Sequence, residues 1–247
     1  MTINVCEWDS RFFGYPVAAL TLEPSNAHLE RVHAAIQDAT RTGIRLLYLF
    51  LPMPDHTLRE PLEKLGFLSV GQKVEFAQPV APPPQPNADP DISLCQTPGD
   101  ALKQLALASG QHSRFRLDPG FRNREFERLY EEWLFSSLRG DNNKRVFVAG
   151  DSVAPVGLLT LEPGRDAARI GLFATHAAHR GKGFGRRLLH EARRYCAQRQ
   201  IPELRVATQA ANTNACGWYQ AAGFQNVSTV DIFHLWLPPT SNANNKL

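Results

Sequence analysis

Residues Arg180-Gly-Lys-Gly-Phe-Gly185 stand between an alternating run, Arg169 to Thr175, that reads as a strand, and a long amphipathic stretch that reads as a helix. Glycines here let the main chain approach a ligand with no Cβ in the way, and the first amides of a helix have no carbonyl partners inside it. Those donors, with the positive end of the helix dipole, suit a diphosphate. A solvated basic strand-to-helix connection would have the same composition. A dinucleotide-binding turn fits poorly, because glycines fall at 181, 183 and 185 as Gly-x-Gly-x-Gly. The next strand, Leu204-Arg-Val-Ala-Thr-Gln209, also carries no acid for a ribose hydroxyl.

A second constellation lies downstream: Asn212, Ala215, Tyr219, Gly223 and Phe224 in the pattern Asn-x-x-Ala-x-x-x-Tyr-x-x-x-Gly-Phe. Asn212 and Tyr219 are about two helical turns apart, so one face can present both. With Arg180, Gly183 and Gly185 in the spacing Arg-x-x-Gly-x-Gly, this resembles the GCN5-related N-acetyltransferase (GNAT) superfamily. The resemblance implies an α/β GNAT fold, acetyl-CoA as co-substrate and N-acetylation of an amine. It implies that Arg180, Gly181, Lys182, Gly183, Phe184 and Gly185 hold the pyrophosphate. It also implies that the main chain of Leu172, Phe173, Ala174 and Thr175 receives the pantetheine arm, with an amide aimed at the thioester carbonyl. Asn212 would bond the pantetheine or cap its own helix, and the two roles are compatible. Tyr219 is the candidate general acid. A phenol of pKa about 10 is protonated at neutral pH and can give its proton to a thiolate of pKa about 8.5. A tyrosine merely packed on the sheet is the alternative.

The likeness narrows within the superfamily. Arg169-Ile-Gly-Leu172, Leu204 to Gln209, Asn212-Thr213 and Ser113-Arg-Phe-Arg116, with Trp8 and Phe12-Phe13-Gly14, are similar to members that acetylate the 4-amino group of a nucleotide-linked amino-dideoxy sugar. Those members carry an Arg beside the Tyr, where this chain has Trp218. Ser113, Arg114, Phe115 and Arg116 are the candidate acceptor site, since two Arg flanking an aromatic could pair a diphosphate and pack on a sugar or base. A solvated basic turn is the other reading. Glu162 could bring a water to the amine, or be a surface carboxylate. Two rival functions stay open. Acetylation of a protein N-terminus or lysine would call for an open acidic cleft, and an acyl-CoA-binding regulatory module would lack the general acid that Tyr219 supplies.

These residues need a scaffold, and 247 residues with 43% hydrophobic content suffice for one large or two modest cores. The formal charge of +3 is too small to argue for nucleic acid. No stretch of about 18 apolar residues reads as a membrane span, and no secretory leader is recognisable, so the cytoplasm is expected. Cys6, Cys95, Cys196 and Cys216 show no metal-ligand spacing, so reduced thiols and no metal are expected. The expected partners are a small-molecule amine acceptor, a nucleotide sugar, and a second copy of the chain in a homodimer, with no nucleic acid and no membrane.

Residues 1–77 read as an aromatic, turn-rich segment from Trp8 to Tyr15, then strands at 17–22, 45–51 and 67–76 alternating with helices at 27–41 and 58–65. The order strand, helix, strand, helix, Gly-Phe, strand closes at Gly66-Phe67 and again at Gly223-Phe224, with Leu62 standing where Tyr219 does. The first copy lacks Arg-x-x-Gly-x-Gly, so 1–77 is expected to be a degenerate acetyltransferase-like half. Chance alternation of βα units would echo in the same way. Proline density makes 78–91 an extended linker.

Residues 92–237 then form the expected catalytic domain. They begin with a strand at 92–95 and a helix at 101–108 capped by Asp100. A helix at 122–138 follows with an apolar stripe of Phe126, Leu129, Tyr130, Trp133 and Leu134, expected to be core. A hairpin of 144–149 and 153–162 leads into the central strand, and the helix after the glycine loop should bury Phe184, Leu188, Leu189, Ala192, Tyr195 and Cys196. A last strand spans 229–237, and 238–247 is expected to be a disordered tail.

Overall fold

The structure is a computed structural model that describes residues 3–22, 29–52, 56–81, 88–151 and 153–239. The described residues form ten strands and eight α-helices: β1 (Asn4–Val5), α1 (Glu7–Phe13), β2 (Val17–Thr21), α2 (Leu29–Arg41), β3 (Leu46–Pro52), α3 (His56–Lys64), β4 (Leu68–Pro79), β5 (Ile92–Leu94), α4 (Asp100–Ser109), α5 (Arg114–Leu117), α6 (Glu125–Arg139), β6 (Arg145–Ala149), β7 (Gly157–Glu162), β8 (Ala168–Thr175), α7 (Phe184–Gln198), β9 (Glu203–Gln209), α8 (Thr213–Ala221) and β10 (Gln225–Trp236). They fall into two compact units, one of Met1–Lys73, Leu117–Gly120 and Ser228–Leu247, the other of Val74–Arg116 and Phe121–Val227.

In the first unit β2 runs parallel to β3, and β10 pairs antiparallel with the other edge of β3 from Val230↔Pro52 to Trp236↔Leu46. That central place explains why Leu46-Leu-Tyr-Leu-Phe-Leu51 is apolar without alternation, as a strand covered on both faces requires. Val32, Ala35 and Ala39 of α2 pack with Leu47, Leu49, Leu62 and Phe67. The segment from Trp8 is not the turn its composition suggested. It is a helix, with Trp8 and Phe12 stacked one turn apart at 5.0 Å and Gly14 ending it at φ 81°. Asp118 in the short excursion of Leu117–Gly120 meets His234 at 2.6 Å, with both side chains wholly buried. Trp236 Nε1 and the Gly120 amide also donate to its carboxylate, at 2.9 and 2.8 Å.

In the second unit the strand order is β4-β9-β8-β7-β6-β5. β5 to β8 are antiparallel neighbours, whereas β8 and β9 are parallel. The core joins Phe147, Leu159, Leu161 and Ile170 of the sheet to Leu188, Leu189, Ala192, Tyr195 and Cys196 of α7, the inward face expected from helical spacing; Phe184 is only partly buried. On α6, Phe126, Leu129, Tyr130 and Leu134 are likewise buried, as core rather than a ligand box.

Several boundaries differ from the sequence expectation, each for a local reason. α6 starts at Glu125 because Arg124 adopts φ 59°, outside the helical region. Asp100 lies in the first turn of α4 rather than capping it, since Gly99 occupies the cap. β7 begins at Gly157 rather than Val153, where pairing with Ala149 starts. Gln78 and Pro79 belong to β4, and the Val80 amide donates to Pro202 O at 2.8 Å, so the first residues of the stretch expected to be a linker continue a strand. Residues 82–87 and the tail 240–247 lie outside the described residues. Within 78–91, Asp89 accepts two hydrogen bonds from Arg187 of α7, which hold its carboxyl below the usual range. The last strand begins at Gln225, and from Ser228 it belongs with residues 1–73.

Candidate active site

The site begins with an irregularity in β8. Against β7 the register runs Leu161↔Ile170 and then Leu159↔Phe173, so Gly171 and Leu172 together oppose Thr160. Such a bulge bends its strand and re-aims the main chain. Thr160 Oγ1 accepts the Leu172 amide at 2.8 Å, and any Cβ on Gly171 would stand 2.8 Å from the same oxygen, which only glycine avoids. On the opposite edge the ladder with β9 runs from Ala168↔Leu204 to Ile170↔Val206. Both strands continue past that point, β8 to Thr175 and β9 to Gln209. The β9-facing edge of β8 beyond Ile170 therefore has main-chain groups without a strand partner.

The glycine loop follows this edge. Gly181 and Gly183 adopt φ of 77° and 87°, and a Cβ on either would meet nothing within 4 Å, so backbone conformation rather than crowding demands glycine there. Gly183 caps α7 without any side-chain bond, and the Arg187 amide to Gly183 O is the first turn's main-chain bond. The amides of Phe184, Gly185 and Arg186 thus stay available to an anion. Gly185 packs closely, its Cβ position 3.5 Å from Trp218 and 3.7 Å from Thr175 Oγ1.

Asn212 caps α8, its Oδ1 accepting from the Ala215 amide and its Nδ2 donating to Thr208 Oγ1, each at 3.3 Å. That fixes the start of the helix two turns before Tyr219. The Tyr219 ring is 5% exposed and lies 5.7 Å from Phe76, 5.4 Å from Trp218 and 5.7 Å from Phe224. Burial first, and the Cys216 thiol beside it second, push its phenol above the ordinary value, so the proton stays on at neutral pH.

These parts meet in one cleft of about 670 Å³. Phe173, Ala174 and Thr175 of β8 line it with Arg180, Gly181, Gly183, Phe184 and Gly185 of the loop, and with Asn212 and Tyr219 of α8. Leu172 is buried, Lys182 is exposed, and neither is among the lining residues. Nor are Ser113 to Arg116. Ser113 and Phe115 are buried, the Ser113 hydroxyl bonding Tyr130 and the Phe115 ring facing Phe121 and Trp133. The guanidinium of Arg114 lies over Phe115 and that of Arg116 over Phe126, at 4.5 and 5.2 Å. Glu162 is opposite Arg169, at the end of β8 remote from Thr175, and pairs with Lys144 at 3.6 Å. Sequence reasoning missed Gln111, His112, His179, Arg186, Asn214 and Trp218 as lining residues. The available signal was adjacency, for His112 precedes Ser113 and His179 precedes Arg180. Among the described residues no three His, Cys, Asp or Glu are grouped as metal ligands would be, and no helix is long and apolar enough to cross a membrane.

Residues 108–224 match the family described as acetyltransferase (GNAT). The chain is similar to dTDP-fucosamine acetyltransferase of Escherichia coli O6:H1, 33% identical over 240 residues that cover 92% of this chain and 95% of that protein. Among solved structures it resembles a GCN5-related N-acetyltransferase from Sphaerobacter thermophilus, with TM-score 0.57 and 17% identity over 90% of this chain and 74% of the other. It also resembles a tandem GNAT protein from the clavulanic acid biosynthesis pathway, with TM-score 0.54 and 15% identity over 92% of this chain and 77% of the other. At those identities the structural likeness speaks to fold alone.

Proposed function

The chain belongs to the acetyltransferase (GNAT) family, and from that premise we propose that its acceptor is the 4-amino group of a dTDP-linked amino-dideoxy sugar, acetylated for surface polysaccharide synthesis. It is an acetyl-CoA-dependent N-acetyltransferase. The observation that carries the acceptor reading is the likeness to dTDP-fucosamine acetyltransferase, which extends over 92% of this chain rather than over the glycine loop alone.

Within the cleft, the cradle of Arg180 to Gly185 suits the diphosphate of coenzyme A. It offers a helix start with open amides and two glycines at positive φ, where no side chain intrudes. The unpartnered edge of Phe173 to Thr175, with Leu172 behind it at the bulge, would take the pantetheine arm, and Asn212 fixes the start of α8 beside Thr208 of β9. Tyr219 would give the departing thiolate its proton. Arg114 and Arg116 would pair the acceptor's diphosphate, while Ser113 and Phe115 hold their turn. Residues 1–77 would be a degenerate acetyltransferase-like half without a cofactor loop, a reading supported by the fold-level likeness to a tandem GNAT protein.

The test is a panel of amines with acetyl-CoA, followed by thiol release and product mass: the dTDP-linked 4-amino-4,6-dideoxygalactose, free amino sugars, and peptides with a free N-terminus or lysine. Turnover concentrated on the nucleotide sugar is expected. A peptide taken in preference would overturn the acceptor reading and favour protein acetylation.

A further inference from the structure

We propose that His112 is the base that takes the proton from the attacking amine. This rests on the reading of the cleft as the acetyl-transfer site. An alkylamine with a pKa near that of lysine, about 10.4, is protonated at neutral pH and has no lone pair to attack with, so the reaction needs a proton acceptor.

Among the described residues that line the cleft there is no Asp or Glu. The carboxylates of β4, β7 and β9 are held by cations: Glu75 by Arg169 and Arg205, Glu162 by Lys144, and Glu203 by Arg205. Imidazole is the side chain whose ordinary titration lies near neutrality, and the cleft presents two, His112 and His179. His179 directly precedes Arg180, its ring faces Phe184 at 6.1 Å, and its Nδ1 is shut from solvent without a hydrogen-bond partner. It belongs to the diphosphate end, with no route for passing a proton outward from that nitrogen.

His112 stands on the other wall, where α4 packs across β8. It is the third residue of the turn Gly110–Ser113, closed by the Ser113 amide to Gly110 O at 2.8 Å. Both ends of that turn are fixed to α6. A Cβ on Gly110 would fall 2.2 Å from the Tyr130 ring, so only glycine permits the approach, and the Ser113 hydroxyl bonds Tyr130. The turn is pinned while His112 itself is exposed, facing the cleft on one side and water on the other. The ionisable groups that share the cleft with it are His179, Arg180, Arg186 and Tyr219, and Arg114 and Arg116 follow it in the chain.

The balance is closed by groups already in place. The amine nitrogen's pair forms the bond to the acetyl carbon, and the carbon–sulfur bond breaks with its pair on sulfur. Tyr219 protonates that sulfur, while a ring nitrogen of His112 takes two protons from the amine nitrogen in turn: one from the ammonium, passed to solvent before attack, and one from the nitrogen once it is bonded to the acetyl carbon. Solvent then takes the proton from His112 and returns one to Tyr219.

The test compares H112Q, H112A and H179Q with the wild type, using acetyl-CoA and whichever amine of the panel above the wild type acetylates fastest. For both His112 variants kcat/KM should fall about 10²- to 10⁴-fold while acetyl-CoA affinity is kept. The acid limb of the pH profile should move with the substitution, and added imidazole should restore part of the H112A rate. Wild-type rates and an unaltered acid limb in H112Q would overturn the assignment. So would a loss that imidazole does not rescue, or a rescue seen at position 179 instead. A wild type that acetylates no amine of the panel would overturn the proposed function and this inference together, an outcome distinct from failure of the His112 variants alone.

Discussion

Tyr219→Phe removes one oxygen and little volume from a ring that is 5% exposed. Its aromatic neighbours Phe76, Phe173, Trp218 and Phe224 stay where they are, between 5.4 and 6.3 Å by ring centre. The cleft therefore keeps its shape, and the Asn212 cap and the glycine loop are untouched. What is lost is the proton donor, and a positioned general acid contributes about 10² to 10⁴ in rate. That corresponds to roughly 2.7 to 5.5 kcal/mol on the barrier. Burial, and then Cys216, raise the phenol above its ordinary value of 10.0. The acid form that catalysis needs is thus present throughout the neutral range and is lost only above that value, so the wild type should show no Tyr219-dependent fall in rate between pH 7 and about 9. Single-turnover acetylation, quenched and read by product mass, isolates chemistry from product release, and calorimetry reports acetyl-CoA affinity. If the Phe variant matched the wild type in single turnover, Tyr219 would have no part in proton transfer and would be only a packed tyrosine.

Gly183→Ala should weaken acetyl-CoA about 5- to 30-fold in a calorimetric titration. Its φ of 87° is open in space but costs an L residue roughly 1 to 2 kcal/mol. Thr160→Val leaves the Leu172 amide unpaired beneath the β8 bulge and should lower unfolding stability by about 1 to 3 kcal/mol, read by denaturant titration. Asp118→Ala removes the carboxylate that a wholly buried His234 meets and should cost about 3 to 5 kcal/mol by the same measurement. Burial opposes ionisation of Asp118, but His234, the Gly120 amide and Trp236 outweigh it and hold its folded pKa below the unfolded 3.8. Its stabilisation is therefore complete above that unfolded value and lost as pH falls through the folded one, so the gap between variant and wild type should close in acid.

What could be read from the sequence was what depends on neighbours along the chain. Gly181, Gly183 and Gly185 before an amphipathic helix, and Asn212 two turns before Tyr219, are local spacings, and helical geometry converts them directly into a shared face. The same holds for the inward face of α7. Short-range chemistry hidden by composition was misread, as with the stacked pair Trp8 and Phe12 that makes a helix of an apparent turn. The remainder was decided by pairs far apart in the chain. The bulge at Gly171 and Leu172 exists only against Thr160, and the unpartnered edge of β8 depends on where β9 stops pairing. Asp118 meets His234 across 116 residues. The last strand joins β3 rather than ending within the catalytic unit, because a strand's register is set by the edge available to it and not by its own residues alone. His112 belongs to this second class. Its one mark in the sequence is adjacency to Ser113, and it reaches the cleft because Gly110 lets the Tyr130 ring close over one end of its turn while Ser113 ties down the other.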